Sequence, residues 1–210
     1  MSIAGFPRPA LAVDTALLTL PPGKGLHVVL VKRAGGELAL PGRILRPGER
    51  LSDAVLVSLA EKAGVRGRTP RQIKVMDDPA RDDRDWVVSV AHVDVVPYAD
   101  LPDVVLKPVD RLPRLWQDHP EIVRLAVAEV RRAYRAAPDP WRLLVGPFTL
   151  HELHELHQFV GDERLKDTFR RDVLADLLPT AGVRTGSVGK PAQLYRRRPS
   201  SRGGGHAPTA

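Results

Sequence analysis

Residues 40–65, LPGRILRPGERLSDAVLVSLAEKAGV, decide the fold of this chain. A short apolar stretch is followed by a Pro-Gly turn and then by an apolar run. The run is predicted to be a helix, with Ser52 as its N-cap and Gly64 at its C-terminal end. Positions 57 and 58 are separated from positions 61 and 62 by three to five residues, and the helical period places the four on one face. That face carries one carboxylate, Glu61, beside one ammonium, Lys62, so its net charge is about zero at neutral pH.

This stretch resembles the Nudix box, whose family pattern is G-x5-E-x7-R-E-U-x-E-E-x-G-U, where U is a bulky apolar residue. The positions that match the pattern are Glu49, Leu59, Glu61, Gly64 and Val65. The positions that depart from it are a glycine, an arginine and two helical glutamates of the family, which here are Arg43, Val57, Ser58 and Lys62. In Nudix enzymes the carboxylates bind divalent ions that activate water against a diphosphate, and Mg²⁺ requires hard oxygen ligands. We therefore predict no catalytic residue, no metal ligand and no cofactor.

Composition narrows the classes of function. The 210 residues suit one large domain or two small ones, and 43% hydrophobic residues are enough to bury a core. Cysteine is absent, which excludes disulfides, thiol catalysis and cysteine-based zinc sites and fits a reducing cytoplasm. The sequence has no basic leader with an apolar core and no apolar run of membrane-spanning length, so no membrane partner is expected. A net charge of +7, with no Asp or Glu in residues 181–210, favours an anionic partner.

The N-terminal part of the chain predicts a mixture of strands and helices. Val- and Leu-rich stretches separated by Pro-Pro-Gly and Gly-Gly turns predict strands at 10–20, 26–33, 37–40, 73–76 and 86–96. The last of these is apolar almost throughout, as in a strand buried on both faces. A long amphipathic segment at 118–136 predicts a helix, with an inward face formed by Ile122, Leu125, Ala126 and Val130. The fold class is therefore α/β (α+β), as a Nudix-like α/β/α sandwich over residues 1–137 would give.

The C-terminal part has the pattern of a winged helix-turn-helix over residues 149–198, after a Pro- and Gly-containing linker at 138–148. Thr149 can cap a helix that Gly161 ends, with one apolar face formed by Leu150, Leu153, Leu156 and Val160. A second helix is predicted at 164–177, with an apolar face formed by Leu165, Phe169, Val173 and Leu177. A β-hairpin is predicted at 183–196, with Gly186 and Gly189 in its turn, and residues 199–210 are predicted to be a disordered tail.

Taken together, the chain resembles the NrtR family of Nudix-related transcriptional regulators over about residues 11–197. The markers are the altered Nudix box, the segments DPARDDRDWVVSVAHVDVV and DHPEI, and the C-terminal sequence FTLHELHELHQFVG with FRRDVL and GKPAQLYR. The resemblance implies a homodimeric, DNA-binding repressor of NAD-metabolism genes whose effector is ADP-ribose or a related nucleotide. When the family's functional residues are transferred position by position, Phe169, Arg170 and Arg171 fall in the DNA-reading helix. The residues that fall in the wing are Gly189, Lys190, Pro191 and Tyr195.

A nucleotide effector requires cations and a tight turn near the altered box. The predicted effector-binding residues are Arg33, Gly42, Arg43, Glu61, Lys62, Arg81 and Arg84. Arg43 is the strongest candidate, because a guanidinium can grip a phosphate at two points. For Arg33, Arg81 and Arg84 the sequence leaves open whether the side chain clamps phosphate or is merely solvated. Trp86 could stack on adenine or belong to the core, and the box itself could be a relic that is kept only for folding.

The predicted DNA-binding residues lie on the second C-terminal helix and on the wing. They are Lys166, Thr168, Arg170, Arg171, Arg184, Ser187 and Lys190. A two-fold symmetric protein favours a palindromic double-stranded operator with half-sites about one helical turn apart. The sequence does not distinguish side chains that contact bases from those that contact phosphates. The effector is expected to bind without a divalent metal ion and to weaken the binding of DNA.

The segment HELHELH places His151, His154 and His157 three residues apart. A zinc-protease helix requires histidines four residues apart, so a metal site is not predicted here. We predict instead that these histidines are surface residues.

Two other functions compete with a repressor. One is a Mg²⁺-dependent Nudix hydrolase of ADP-ribose or another nucleoside diphosphate derivative, which the loss of helical glutamates disfavours. The other is a nucleotide-binding adaptor whose basic tail attracts nucleic acid without reading sequence. Ordered contact between DNA and the second helix would distinguish a repressor from such an adaptor.

Overall fold

A computed structural model of the chain describes residue 5, residues 7–185 and residues 191–199. Within them, a seven-stranded mixed sheet with a helix on each face is followed by a smaller unit of two helices and a three-stranded sheet. The predicted fold class, α/β (α+β), is confirmed. Among the described helices, none is both long enough and apolar enough to cross a membrane.

The larger sheet contains β1 (Ala10–Thr19), β2 (His27–Lys32), β3 (Leu38–Ala39), β4 (Gly42–Ile44), β5 (Arg71–Met76), β6 (Val87–Val96) and β7 (Val105–Pro108). The strand order is β3-β2-β1-β6-β5, with β4 also paired with β1 and β7 also paired with β2. Strands β1 and β6 are parallel and central, and nearly all of their residues are buried. The predicted burial of β6 on both faces is confirmed. Strands β4 and β7 were not predicted, because stretches this short show no clear periodicity.

The two faces of the sheet are covered by α1 (Leu51–Ala63) and α2 (His119–Ala136). Alternate residues of β1 point to opposite faces. Val13 and Leu17 pack in one apolar cluster with Leu59 of α1, whereas Ala16 and Leu18 pack in the other, whose α2 members include Ile122, Val123, Ala126 and Val130. The predicted α/β/α sandwich is therefore present.

The ends of α1 test the predicted capping residues. Gly64 ends the helix with φ 67°, as predicted, and a Cβ there would lie 2.9 Å from Pro102. The predicted cap at Ser52 is wrong: the N-cap residue is Arg50, and Ser52 lies inside the first turn. Its hydroxyl donates to Asp53 (3.3 Å) instead of capping a backbone N–H.

The smaller unit comprises β8 (Phe148–Thr149), α3 (Leu150–Val160), α4 (Lys166–Val173), a 3-10 turn (Leu174–Asp176), β9 (Leu177–Arg184) and β10 (Ala192–Arg197). Thr149 and Glu152 form a capping box at the start of α3, and Gly161 ends that helix with φ 100°. The sheet order is β8-β10-β9, and the core contains Phe148, Leu153, Phe169, Val173 and Leu177. Two helices followed by a hairpin confirm the predicted outline of a winged helix-turn-helix.

Three boundaries in this unit differ from the prediction. The second helix begins at Lys166 rather than near 164, and Leu165, predicted to be buried, is 79% exposed. Leu177 belongs to β9, so the hairpin begins there and not at 183. The predicted turn glycines, Gly186 and Gly189, lie outside the described residues, as does the predicted tail beyond residue 199.

The segment between the two units, predicted as a linker at 138–148, is irregular but closely packed. Asp139 is buried, and its carboxylate accepts the N–H groups of Leu143 and Leu144 (both 3.0 Å). The same carboxylate pairs with Arg197 of β10. Phe148, the last residue of the predicted linker, already pairs with β10 in the C-terminal sheet. The exact domain boundaries stay a prediction. The two units are therefore tied together rather than loosely tethered.

Candidate effector cavity and nucleic-acid interface

A cavity of about 630 Å³ opens beside β1, β2 and β4, next to the start of α2. Its volume lies in the range of small-molecule sites. Among the residues that line it are Arg33, Gly42, Arg43, Lys62, Arg81 and Arg84. The remaining predicted effector residue, Glu61, is exposed on α1 and is not part of the lining. The fold thus brings together cations that are widely separated in the sequence.

Arg81 lines this cavity but is itself buried against two carboxylates. Its Nε and Nη2 donate to the two oxygens of Asp118 (both 2.9 Å), and Nη2 also donates to Asp14 (3.3 Å). Only 4% of the Arg81 side chain is exposed, so the alternative in which it is merely solvated is wrong. Its charge is already compensated, which leaves it to shape the cavity more than to attract an anion.

Asp14 is the centre of this buried network. Ser89 Oγ donates to it (2.7 Å), and His119 Nε2 lies 3.5 Å from its carboxylate. The N–H of Leu40 donates to Nδ1 of His119 (2.9 Å), so the ring proton lies on Nε2 and faces Asp14. Burial raises the pKa of Asp14, but the hydrogen bonds from His119 and Ser89 and the charge of Arg81 outweigh it and lower the pKa overall.

Gly42 is required by the same network. A Cβ at this position would lie 2.0 Å from Asp14 Oδ1 and 2.7 Å from the carbonyl oxygen of Val13. Any side chain would therefore displace the buried carboxylate or the central strand. The absence of a Cβ also leaves the backbone of β4 open toward the cavity.

Arg43, the residue at the box glycine, is paired with the box glutamate. Its Nη1 donates to Glu49 Oε1 (2.9 Å), and the two side chains are only 13% and 15% exposed. The other oxygen of Glu49 accepts the N–H of Arg46 (2.9 Å). Arg43 and Glu49 neutralise one another, so Arg43 is a weaker phosphate candidate than its guanidinium alone suggested.

Lys62 and Ser58 occupy box positions at which the family pattern has carboxylates. The Lys62 ammonium donates to the carbonyl oxygen of Gly42, and partial burial lowers its pKa. Ser58 is buried, and its hydroxyl has no hydrogen-bond partner in the described part of the chain. No cluster of three or more His, Asp or Glu residues that could hold a metal ion occurs within residues 7–185 and 191–199. The Lys62 ammonium and the Ser58 hydroxyl do not provide the carboxylate ligands that a divalent cation needs at these two positions.

Arg33, Arg84 and Trp116 form one wall of the cavity. The Cζ atoms of Arg33 and Arg84 lie 3.7 and 5.4 Å from the ring centroid of Trp116. Arg84 is held by Asp82 (2.8 and 2.7 Å), and this hydrogen-bonded pairing lowers the pKa of the carboxyl group. The interpretation of Trp86 as a core residue is wrong, since it is 46% exposed, and it is also absent from the lining of this cavity.

The sequence interpretation missed Asp14, Trp116, Asp118 and His119. A carboxylate inside the apolar strand at 10–20 was a usable signal, because a buried charge is retained only with partners. Trp116 and His119 gave no such signal, since their contacts with Arg33 and Leu40 form only through the tertiary fold.

A second cavity, of about 550 Å³, lies on the other side of Arg81. Its charged lining has more carboxylates than cations, and consists of Lys74, Asp77, Asp78, Arg81, Asp83, Asp118 and Glu121. Such a lining repels a diphosphate. The cavity beside β4 is therefore the better candidate for an anionic effector.

The outer face of α4 carries exposed cations. Phe169 and Val173 point into the core of the smaller unit, whereas Lys166, Arg170 and Arg171 are exposed. Lys166 and Arg170 form no ion pair within the described ranges, and the Nε of Arg171 is 3.9 Å from Asp172 in a loose contact. Thr168 is partly buried beside them. This surface is suited to a polyanion.

The wing is less available than predicted. Arg184, at the end of β9, forms an ion pair with Glu152, the glutamate of the α3 capping box. The other predicted wing contacts, Ser187 and Lys190, lie outside the described residues. A role for Arg184 in DNA binding would require it to leave Glu152 or to share it.

His157 is fully buried, so the prediction of a surface residue is wrong for it. Its Nε2 lies 2.6 Å from the carbonyl oxygen of Pro138, and its Nδ1 lies 3.0 Å from Asp162. Its ring packs edge-on against Tyr134 of α2 and Phe169 of α4. Burial lowers the pKa of His157. The residue therefore joins α2, the connecting segment and both helices of the smaller unit.

Comparison with known proteins identifies the family. No family model matches the chain. The crystal structure of NrtR from Shewanella oneidensis matches with a TM-score of 0.72 and 30% sequence identity, over 90% of this chain and 94% of that one. The chain belongs to the NrtR family. The predicted resemblance is thereby confirmed.

Structures of that relative with ligands also match. Shewanella oneidensis NrtR complexed with a 27mer DNA has a TM-score of 0.72 and covers 90% of this chain and 93% of its own. The Nudix domain of the same protein complexed with ADP-ribose is 28% identical, with a TM-score of 0.53, and covers 62% of this chain and 94% of its own.

Two further relatives come from other organisms. The ADPR responsive transcriptional repressor NtrR of Acinetobacter baylyi is 26% identical over 209 residues, 91% of this chain and 83% of the relative. An ADP-ribose pyrophosphatase of Methanocaldococcus jannaschii is 29% identical over 127 residues, 56% of this chain and 72% of the relative. The regulators thus match nearly the whole chain, whereas the pyrophosphatase matches about half of it.

Proposed function

We propose that this chain is a transcriptional repressor that binds operator DNA through its C-terminal unit and responds to ADP-ribose, or a related nucleotide, in its N-terminal unit. The observation that carries the proposal is the likeness over 90% of the chain to Shewanella oneidensis NrtR, a protein that has been crystallised with DNA. The Nudix domain of that relative binds ADP-ribose. The regulated genes, following the family resemblance, are those of NAD metabolism.

DNA binding is assigned to α4 and the wing. The second helix of a helix-turn-helix enters the major groove, and arginine contacts guanine edges or phosphates there. Arg170 and Arg171 are exposed on this helix and have no close carboxylate partner in the described part of the unit. We assign the main contacts to these residues with Lys166 and Thr168, and the secondary wing contacts to Arg184, Ser187 and Lys190. The protein acts as a homodimer on a palindromic site.

Effector binding is assigned to the cavity beside β4. A diphosphate needs positive charge that internal carboxylates do not already compensate. Lys62 has no ion pair among the described residues, and the nearest carboxylate to Arg33, that of Glu37, is 4.0 Å away. Arg43, Arg81 and Arg84 are each paired more closely. We therefore place the diphosphate against Lys62 and Arg33, and give the paired arginines the task of shaping the cavity.

The cavity binds the nucleotide without hydrolysing it. A metal ion lowers the pKa of bound water and stabilises the developing charge, whereas an ammonium supplies only charge. The Lys62 ammonium lies at a glutamate position of the box, and Glu49 is already engaged by Arg43. The alternative is a Mg²⁺-dependent hydrolase, which the similarity to the Methanocaldococcus jannaschii pyrophosphatase favours.

Helix α2 couples the two sites. It begins at the buried network of the cavity, where Asp118 binds Arg81. Farther along, Arg131 donates to the carbonyl oxygen of Val160 of α3 (3.1 Å), and Tyr134 packs on His157. A shift at the start of α2 therefore reaches the helices that position α4. A tenfold loss of DNA affinity requires only about 1.4 kcal/mol of difference between the two states, and the coupling must be reciprocal.

A mobility-shift assay on DNA upstream of the protein's own gene tests the proposal. We expect a specific complex that ADP-ribose weakens at least tenfold in the presence of chelator, and that the Arg170→Ala, Arg171→Ala double variant does not form. If ADP-ribose binds and leaves operator affinity unchanged, the proposed switch is wrong. Equal affinity for unrelated DNA would favour a nucleotide-binding adaptor instead.

A parallel assay tests hydrolysis. With Mg²⁺ in excess, we expect no release of AMP from ADP-ribose above the rate seen with chelator. Turnover near one per second, within the usual range of enzymes, would establish the hydrolase. A Ser58→Glu, Lys62→Glu variant is a useful reference, because it restores carboxylates at two box positions.

A further inference from the structure

We propose that Trp116 is the residue that recognises the base of the effector, by presenting its indole ring as a stacking surface at one end of the cavity. This inference rests on the proposed function, because it names how the same cavity selects a nucleotide. It assigns to the site a chemical class of ligand, an aromatic base joined to a diphosphate, rather than any phosphorylated sugar.

The backbone that carries Trp116 is fixed on both sides. Its N–H donates to the carbonyl oxygen of Leu38 (2.9 Å), and the preceding residue, Leu115, is bridged to the same strand. Three residues farther on, His119 accepts the N–H of Leu40 (2.9 Å). The segment is therefore held along β3 and into the start of α2, and the indole ring is preorganised against the cavity rather than carried on a free loop.

The surroundings of the ring suit an aromatic base. Arg33 and Arg84 place their guanidinium groups 3.7 and 5.4 Å from the ring centroid. Because Arg33 lies over one face of the indole, a base that stacks on this face takes the place of the guanidinium, which can then bind the diphosphate. Arg33 and Lys62 also line the cavity, so the stacking surface continues directly into the positive charge assigned to the diphosphate. One ligand can occupy both ends of a cavity of about 630 Å³.

A purely structural role for Trp116 makes a different prediction. In that case the Arg33–Trp116 contact would serve only to stabilise the turn between β2 and β3. Its removal would then disturb the position of Arg33 and weaken every anionic ligand to the same extent. Base recognition adds a further loss that only ligands containing a base suffer. The two roles are therefore separated by comparing ADP-ribose with inorganic pyrophosphate.

The decisive measurement is calorimetry of the full chain with both ligands in chelator. Trp116→Ala should weaken ADP-ribose about 5- to 150-fold more than it weakens pyrophosphate, the range for loss of one base stack. Trp116→Phe should retain most of the ADP-ribose affinity, because a phenyl ring still stacks. Trp86→Ala is the matched control, since Trp86 is exposed and does not line the cavity. Lys62→Met should weaken both ligands.

Fluorescence gives an independent readout, because the chain has three tryptophans. In a Trp86→Phe, Trp141→Phe variant only Trp116 remains, and ADP-ribose should change its emission more than pyrophosphate does, because pyrophosphate reaches the ring only through Arg33. Equal loss of both ligands in Trp116→Ala, or no loss of either, would overturn the inference and leave the effector proposal standing. A wild-type protein that binds no ADP-ribose would overturn the effector proposal and this inference with it.

Discussion

The effector cavity and the outer face of α4 both contain several cations, but they hold them in opposite ways. In the cavity, Arg81 is bound by Asp14 and Asp118, and Arg84 is bound by Asp82. On α4, Lys166, Arg170 and Arg171 are exposed, with no closer carboxylate in the described residues than Asp172 at 3.9 Å from Arg171. The cavity therefore has little uncompensated charge, whereas the cations of α4 are exposed and have no close carboxylate partner in the described part of the chain.

This difference is consistent with the ligand that we propose for each region. An internally compensated cavity selects a small anion by geometry, with only a modest dependence on salt, because its charges are partly buried and weakly screened. A face of free cations binds the regularly spaced phosphates of a nucleic acid and releases counterions, so its affinity falls steeply with salt. Basic side chains thus support specificity for a small anion in the cavity and general attraction of nucleic acid on α4.

The largest expected effect comes from breaking the compensation inside the cavity. Arg81→Met should lower the free energy of unfolding by about 3–5 kcal/mol, because it leaves buried carboxylates without their partner. Arg84→Met should cost at most about 1 kcal/mol, since the Arg84 side chain is 54% exposed. Urea denaturation measures both values. Equal losses in the two variants would contradict the contrast between buried and exposed pairs.

Lys62 should matter more for ligand binding than Arg43. Lys62→Met should weaken ADP-ribose by about 1.5–3 kcal/mol, the loss of a charged hydrogen bond to phosphate, as measured by calorimetry. The stability of the apo protein should change little, because Lys62 is exposed and forms no ion pair among the described residues. Arg43→Met should have a smaller effect on affinity, since Glu49 already holds Arg43. The reverse ranking would show that Arg43 leaves Glu49 to bind the ligand.

Single substitutions on α4 should have effects of similar or smaller size on DNA binding. Arg170→Ala or Arg171→Ala should cost about 1–3 kcal/mol and relax specificity at one position if the side chain contacts a base. If it contacts a phosphate, all sequences should weaken alike, and the slope of the log–log salt dependence should decrease by about one. Arg184→Ala should change affinity less, because Glu152 holds that guanidinium. Salt titrations by fluorescence anisotropy distinguish these outcomes.

The parts of the fold that the sequence predicted are those encoded locally. The alternation of apolar residues in β1 and β6, the spacing on α2 and α3, and the caps at Thr149 and Gly64 are visible within a few residues. Of the residues that line the cavity, Gly42, Arg43 and Lys62 lie on the Nudix-like stretch, whereas Arg33, Arg81 and Arg84 reach it only through the tertiary fold. The predicted boundaries were wrong where a local signal was ambiguous, as at Ser52, which lies within the first helical turn instead of capping it.

The parts that were missed depend on contacts between distant segments. Trp116 has no distinctive neighbours in sequence, and its relation to Arg33 exists only after β3 and the start of α2 come together. The sequence around His157 predicts an exposed histidine. The ring is nevertheless buried, and its nitrogens lie within hydrogen-bond distance of the carbonyl oxygen of Pro138 and the carboxylate of Asp162. Compensation of Arg43 by Glu49 likewise could not be read from the box, since the pattern gives positions and not partners.

His157 provides the last and smallest test, which concerns the junction between the two regions. Its ring is buried against Tyr134 and Phe169, and it faces the carboxylate of Asp162, the guanidinium of Arg164 and the carbonyl oxygen of Pro138. Burial lowers its pKa below the usual histidine value of about 6.5, even though two acceptors face the ring nitrogens.

The sign of the resulting pH dependence follows from this direction. Above pH 6.5 the ring is neutral in both the folded and the unfolded chain, so His157 does not change stability with pH. As the pH falls below 6.5, the unfolded chain binds a proton that the folded chain does not, and stability decreases with a slope of at most about 1.4 kcal/mol per pH unit. His157→Gln should remove this component from denaturation curves measured between pH 7.5 and 5.5. His151→Gln should retain it, because the His151 side chain is 70% exposed. An unchanged pH dependence in His157→Gln would mean that the charge at the junction is not controlled by this ring.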